Sequence, residues 1–489
     1  MKRNFNIKTN RTFTWLRRYA WIFTLTVAFG GLWEPKLGLL VIPVILGLVS
    51  ISFFRGRYWC GNFCAHGSLF DALVMPISRN QSIPALFRSK ITGLLFFGWF
   101  SYNLVRKLLR VSALYGKAPF LDKLGFIFVA SYLMVTIVGG LLSIFVAPRT
   151  WCQFCPMGFM QRYSYRLGKL LGVAKNTDRK ITMAGKEKCH SCGKCARVCP
   201  MQLKPYLDFT PGNQFDHEDC IRCNTCVYNC PAHILSLSTE KEAAEIAAKT
   251  SLQGYDTRKR VSARLERIRD LNQDVKELTF EFIKPQTVDY KPGQFMLVKI
   301  EDQPEMYRAY SISSHNHDRK RVKVTVKRVP NGYGTGIIFD QFKEGETVEL
   351  QLPMGDELVV DKSAEKILLV GGGIGITPFI PIVEDLVKGK NSAKEIDLIY
   401  GVNRANELIY DQELTAMADG NPHFRYTKVV ASDSSWSSGP KGFVTDIIKD
   451  MDLSGYKVYM CGPKPMTDAT TKLLQAMGVP EKNIFMETA

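Results

Sequence analysis

The rhythm of apolar and polar positions changes several times along the chain. Up to about residue 175 the apolar residues run together, in stretches Tyr19–Trp33, Leu37–Phe54, Ile91–Val105 and Leu124–Ala147. A bilayer-crossing helix needs about 20 apolar residues. The last stretch meets that length outright, and the first and third predict extension into flanking residues or tilted, half-inserted helices. From residue 257 the pattern alternates, in "VSARLERI", "VKELTFEFI", "QFMLVKI" and "RVKVTVKRV". Period two predicts the strands of an antiparallel barrel. From Lys366 it becomes strand, glycine turn, helix: "KILLVGGGIGITPFIPIVEDLVKGK". Between these parts, residues 238–256 are rich in Ala, Glu and Lys, without proline, and predict a solvated helical linker.

Charge sharpens the first boundary. Residues 1–180 hold 24 Lys and Arg against 4 Asp and Glu, and the rest of the chain holds 40 against 42. A basic excess that flanks apolar runs reads as membrane anchoring and argues against nucleic-acid binding. Lys2, Arg3, Lys8, Arg11, Arg17 and Arg18 precede the first run and predict a cytoplasmic N-terminus. The expectation is four spans. Arg106, Lys107, Arg110, Lys117 and Lys123 then fall on the outer side, against the charge rule. The opening run is not read as a signal peptide, because a second apolar run follows almost at once.

The 13 cysteines are not distributed like a disulfide scaffold. "KCHSCGKCARVCP" and "DCIRCNTCVYNCP" each spell C-x2-C-x2-C-x3-C-P, a highly specific pattern for paired [4Fe–4S] clusters. In that pattern the fourth cysteine of each run serves the other cluster. The predicted ligands are Cys189, Cys192, Cys195 and Cys230 for one cube, and Cys220, Cys223, Cys226 and Cys199 for the other. Zinc also takes four cysteines, but duplicated triplets with a displaced fourth are wrong for it. Free thiolates require a reducing compartment, so this part is expected to face the cytoplasm.

Two further pairs stand at the ends of apolar runs. "RYWCGNFCAHG" holds Cys60 and Cys64, and "PRTWCQFCPMG" holds Cys152 and Cys155. The fragments form a weak internal repeat, and four thiolates gathered by it are candidates for an additional membrane metal centre. Small apolar residues at helix ends are the plain alternative. His66 is read as a local polar residue rather than a ligand.

In the C-terminal part, "MYRAYSISS", "NGYGTG", "GGGIGITP" and "CGPKPM" occur in that order. Glycines after a strand let backbone approach a pyrophosphate at a helix N-terminus. As a set these motifs resemble the ferredoxin–NADP reductase superfamily of flavin/nicotinamide domains, over roughly residues 257–489. The resemblance implies FAD held by Arg308, Tyr310 and Ser311, with Tyr310 against the ring and Ser311 near its N5, and by Gly332, Gly334 and Thr335 at a phosphate turn. It implies a nicotinamide-nucleotide loop at Gly371, Gly373, Gly375, Thr377 and Pro378, and a motif near the nicotinamide at Cys461, Gly462, Pro463 and Met466. Tyr310, Ser311, Thr377 and Cys461 are the residues it places nearest the chemistry. The chain ends "NIFMETA", with no terminal aromatic, and Glu487 is the acid available there. Residues 15–237 resemble a second family, the NapH/NosR-type membrane-bound polyferredoxins. Cys64 is followed by Ala65 rather than proline, and the second pair is one residue short of that family's spacing.

The expected architecture is multidomain: an α-helical membrane domain at 1–175, a two-cluster bacterial ferredoxin-like α+β domain at 180–237, a linker at 238–256, an antiparallel β-barrel flavin domain at 257–360 and an α/β nucleotide-binding domain at 361–489. The expected function is oxidation of NADH or NADPH, with electrons passing through FAD and two [4Fe–4S] clusters to a membrane quinone or a redox protein. The expected location is a bacterial-type inner membrane, multi-pass in the lipid bilayer, with redox domains facing the cytoplasm. Two other readings fit the same residues. One is reverse transfer to NAD(P)+ or ferredoxin, and the other is an assembly factor that reduces a metal or thiol client.

Overall fold

A computed structural model describes residues 4–317, 319–389 and 395–487. Lys2, Arg3, Thr488 and Ala489, named above, lie outside the described residues. The chain divides into two compact units, residues 1–189 with 193–250, and residues 190–192 with 251–489.

The first unit begins with helices. Helix α1 (Trp21–Ala28) follows a short helical turn, and α2 (Val41–Arg55) continues a 3-10 turn at Pro35–Leu40. Then come α3 (Lys90–Ser112), α4 (Phe120–Phe145) and α5 (Pro156–Leu170). Among the described residues two helical segments are long and apolar enough to cross a membrane, Pro35–Arg55 and Phe120–Phe145. This corrects the expectation of four spans. The first apolar run breaks into the eight residues of α1 and a tight turn at Gly30–Leu32, about 12 Å of helix where a bilayer core needs about 30 Å. The third run lies in α3, which has the length but carries Arg106, Lys107 and Arg110 in its last two turns.

The cysteine runs follow, built around a three-stranded antiparallel sheet in the order β2-β1-β3, with β1 at Lys180–Met183, β2 at Gln214–Phe215 and β3 at Leu235–Ser238. The two runs repeat their backbone as well as their spacing. Ser191 and Arg222, Gly193 and Asn224, and Gln202 and His233 occupy equivalent places, and all six have positive φ. Each loop thus takes the left-handed backbone conformation at the same three points. After β3, helix α6 (Glu240–Lys249) starts in a capping box made by Thr239 and Glu242.

The second unit holds two sheets. The first is six-stranded and antiparallel, formed by β4 (Lys259–Asn272), β5 (Val275–Lys284), β6 (Phe295–Asp302), β7 (Glu305–Ser311), β8 (Arg321–Lys327) and β9 (Thr347–Met354). Its order is β7-β6-β9-β4-β5-β8, and an isolated bridge between Ile312 and Val324 links its two edges. Helix α7 (Tyr333–Gln341) lies between β8 and β9 in the chain. The second sheet is parallel, in the order β12-β11-β10-β13-β14, from β10 (Lys366–Gly372), β11 (Glu395–Val402), β12 (Phe424–Val430), β13 (Tyr456–Cys461) and β14 (Ile484–Met486). Its central strand β10 is apolar and buried along nearly its whole length, as expected of a strand covered on both faces. Strand order reverses between β10 and β13, which places the ligand crevice of an open α/β sheet at the carboxyl ends of these two strands.

Candidate functional site

The reversal point is where the nucleotide candidates gather. Gly371 pairs in register with Cys461 across β10 and β13. Beyond them, the turn Gly373–Ile376 and the segment Cys461–Gly462 are in direct contact. A Cβ added at Gly375 would lie 2.2 Å from the Cys461 carbonyl oxygen, and one at Gly372 would lie near the Met466 sulfur and Pro463. Gly373 has φ +55° and open space beside it, leaving backbone exposed at the crevice. Thr377 is buried, its hydroxyl donates to the Ile374 carbonyl, and Pro378 caps helix α8 (Phe379–Lys388). This is a surface shaped for a nucleotide pyrophosphate at a helix N-terminus.

The flavin candidates lie on β7 and the start of α7. Arg308, Tyr310 and Ser311 are consecutive or alternate positions of one strand. Gly334 sits in the first turn of α7, and a Cβ there would lie 2.5 Å from the Arg308 Nε. The start of α7 and the Arg308 guanidinium, whose Nη1 also donates to the Tyr307 carbonyl, therefore share one spot, a donor set that fits a flavin pyrophosphate. The Thr335 hydroxyl accepts from the Val329 N–H and closes the Gly332 turn. Burial raises the Tyr310 phenol pKa, so the ring meets its surroundings neutral.

Glu487 joins the two sheets chemically. Its Oε2 accepts from the Ser311 hydroxyl at 3.0 Å and from the Cys461 thiol at 3.7 Å. Burial raises its pKa above the ordinary carboxyl value, and the Ser311 hydrogen bond opposes that shift. Two residues predicted from separate motifs thus meet on one carboxyl group.

In the first unit, Cys199, Cys220, Cys223 and Cys226 line one small cavity of about 20 Å³ with Ile181 and Phe215. Cys199 lies with the triplet of the other run, as the spacing predicts. Cys189, Cys195 and Cys230 pack on one core group that also includes Cys220 and Cys226 of the other set. Cys192 falls in the stretch grouped with the second unit. Cys60, Cys64, Cys152 and Cys155 together line a second cavity of about 130 Å³, whose other walls are largely apolar side chains of α2, α3 and α4. His66 lines the same cavity, and its Nε2 contacts the Tyr132 carbonyl and the Thr136 hydroxyl. Among the described residues no three ligating side chains converge as a single ion requires. A four-iron cube spaces its ligands more widely.

The two cysteine sites adjoin. Cys60 and Cys152 share a buried cluster with Cys199, Cys223, Met201 and Ile221. Gly61 makes this approach possible, because a Cβ there would lie 1.9 Å from the Ile221 carbonyl oxygen. Around the four cysteines stand polar groups that motif reading missed. Arg57, Arg149 and Gln161 are buried beside them, with Asp71 behind. Arg11 and Arg17, read from the sequence as solvent-side anchors, are instead buried on Asp71. Asp71 stands alone among acids between Glu34 and Asp122, and that isolation was the available signal.

Comparison with known proteins assigns these regions. Residues 369–472 match the oxidoreductase NAD-binding domain and 262–357 the oxidoreductase FAD-binding domain. Residues 188–235 match a 4Fe-4S dicluster domain. Residues 37–84 and 128–174 each match a 4Fe-4S binding domain, one for each cysteine pair. The chain is an NAD(P)H-dependent oxidoreductase that uses FAD and [4Fe–4S] clusters. The propane 2-monooxygenase reductase component of Rhodococcus jostii (strain RHA1) is 24% identical over 61% of this chain and 80% of its own length. The toluate 1,2-dioxygenase electron transfer component of Pseudomonas putida is 29% identical over 50% of this chain and 70% of its own. Among solved structures, the Amycolatopsis cytochrome P450 reductase GcoB aligns with a TM-score of 0.44 and 23% identity, covering 47% of this chain and 71% of that one.

Proposed function

We propose that this oxidoreductase is membrane-associated and carries electrons from NAD(P)H to a membrane acceptor, a quinone or a redox protein, by way of a third [4Fe–4S] cluster held by Cys60, Cys64, Cys152 and Cys155. The observation that carries this reading is the shared buried cluster of Cys60, Cys152, Cys199 and Cys223. When bound, FAD takes the two electrons of a hydride together, and iron–sulfur clusters pass electrons singly. The protein's own part is placement. Gly373 and Gly375 open the crevice, Arg308 and the first turn of α7 supply the positive end, and Ser311 and Cys461 both donate to the Glu487 carboxyl, which ties the two sheets together there.

Support for membrane association comes from the two helices long and apolar enough to cross a bilayer and from their surroundings. Leu46, Ile91, Leu95, Trp99, Ile137 and Leu141 are each at least half exposed. So much exposed apolar surface marks a lipid or protein contact.

The test uses detergent-purified full chain, titrated anaerobically with NADH and NADPH and followed by absorbance and low-temperature EPR. The expected result is flavin bleaching with three reduced cluster signals, one of which is lost in the Cys60→Ser, Cys152→Ser double variant together with reduction of a short-chain quinone. Bleached flavin with oxidised clusters would sink the reading. Release of the chain from membranes by alkaline carbonate would sink its membrane part.

A further inference from the structure

We propose that the four-cysteine site is the electron sink of the iron–sulfur chain, and that Arg57, Arg149 and Gln161 make it so. The inference rests on the reading that these cysteines ligate a cluster.

The three side chains converge from separate elements. Arg57, 1% exposed, donates to the Cys152 carbonyl at 2.9 Å and has its Nη2 3.9 Å from the Cys60 sulfur. Arg149, also 1% exposed, donates to the Cys60 carbonyl at 3.2 Å and has its Nη1 3.6 Å from the Cys152 sulfur. The Gln161 amide, fully buried on α5, donates to the Cys60 sulfur at 3.0 Å.

The charge count is unbalanced. Asp71 is shared by Arg11, Arg17 and Arg149, and Asp219 by Arg57 and Arg162. Five guanidinium groups therefore face two carboxylates, and two of the five, Arg57 and Arg149, reach the cysteines themselves. A cluster with four thiolate ligands is anionic and gains a further negative charge on reduction. Buried excess positive charge and N–H donors to sulfur both favour the reduced form. The neighbouring site is arranged differently. Its buried cation, Arg222, is matched one to one by Asp178 at 2.8 Å and donates to the Cys220 carbonyl. Oxidation of one NAD(P)H to NAD(P)+ and a proton releases two electrons, and each reduction of the four-cysteine centre takes one. Electrons then run towards the apolar helices, which selects the forward direction over reverse transfer.

The experiment is an EPR-monitored redox titration of the detergent-solubilised full chain, in wild type and in Arg57→Gln and Gln161→Leu, with the signal assigned by its loss in Cys60→Ser. We expect the four-cysteine centre to be the first reduced. Arg57→Gln should lower its reduced-to-oxidised ratio at a fixed potential at least tenfold, about 59 mV for a one-electron couple. Gln161→Leu should lower it less, with iron content and the other clusters unchanged in both. A four-cysteine centre reduced last, or one that neither substitution shifts while iron is retained, would overturn the inference alone. Iron sufficient for only two clusters in wild type would overturn the third-cluster reading, and the inference with it.

Discussion

Replacing Gly375 with alanine tests whether the crevice at the β10/β13 reversal is the nucleotide site. The added Cβ would lie 2.2 Å from the Cys461 carbonyl oxygen, 2.5 Å from its carbon and 2.8 Å from the Gly462 Cα, where ordinary contact begins at 3.4 Å. All three are backbone atoms at a strand end, so no side chain can swing aside. The turn has to move away from Cys461–Gly462 by roughly an ångström, at an overpacking cost of about 1–3 kcal/mol. A displacement of that size between reacting partners costs on the order of 100-fold in rate. Anaerobic stopped-flow mixing with NADH, reading flavin bleaching against nucleotide concentration, should therefore show slowing of about that size, with FAD content unchanged. Gly455 provides the control. Its φ is +81° with no neighbour within 4 Å, so Gly455→Ala costs stability through backbone strain but leaves the bleaching rate alone. A Gly375→Ala protein that keeps its FAD and bleaches within twofold of wild type would refute the assignment.

Arg308→Met removes the guanidinium at the first turn of α7. Loss of a charge-assisted contact of about 1.5–3 kcal/mol should weaken FAD binding by roughly 10- to 150-fold in titrations of apoprotein. Asp71→Asn leaves Arg11, Arg17 and Arg149 buried around a neutral amide. Breaking such a cluster costs about 3–5 kcal/mol, so the helical unit should lose iron at a lower temperature while the flavin is retained, and unchanged iron retention would count against the buried pairing. Burial holds the Glu487 pKa above its ordinary value of 4.5. Between those values the folded protein binds more protons than the unfolded chain, so the stabilisation is present below 4.5 and is lost as pH rises through the folded value. Flavin-release temperature should fall with rising pH in that window in wild type and run flatter in Glu487→Gln; equal slopes would remove the carboxyl from the account.

Residues bound by strict spacing were legible before any fold was known. The cysteine runs, the glycine loop and the strand carrying Arg308 to Ser311 each encode their geometry within a dozen positions, because a cluster or a pyrophosphate demands fixed backbone intervals. The same spacing leads to the expectation of Cys199 beside the other triplet, with which it lines one cavity. What local pattern could not supply was charge pairing at a distance. Arg17 and Asp71 are 54 positions apart, and Arg57 and Asp219 are 162 apart. A basic residue before an apolar run looks the same whether it faces lipid headgroups or a buried carboxylate. Apolarity likewise identified the runs but not their lengths as helices, so the turn at Gly30–Leu32 halved the first predicted span. The more informative signal was scarcity. With 4 acids among the first 180 residues, each one has many cations to choose from. A carboxylate such as Asp71, placed between two apolar stretches, is tolerated only where several of those cations close around it. The same basic excess that reads as a membrane anchor therefore also supplies the buried guanidinium groups that close around Asp71 and stand beside the four cysteines.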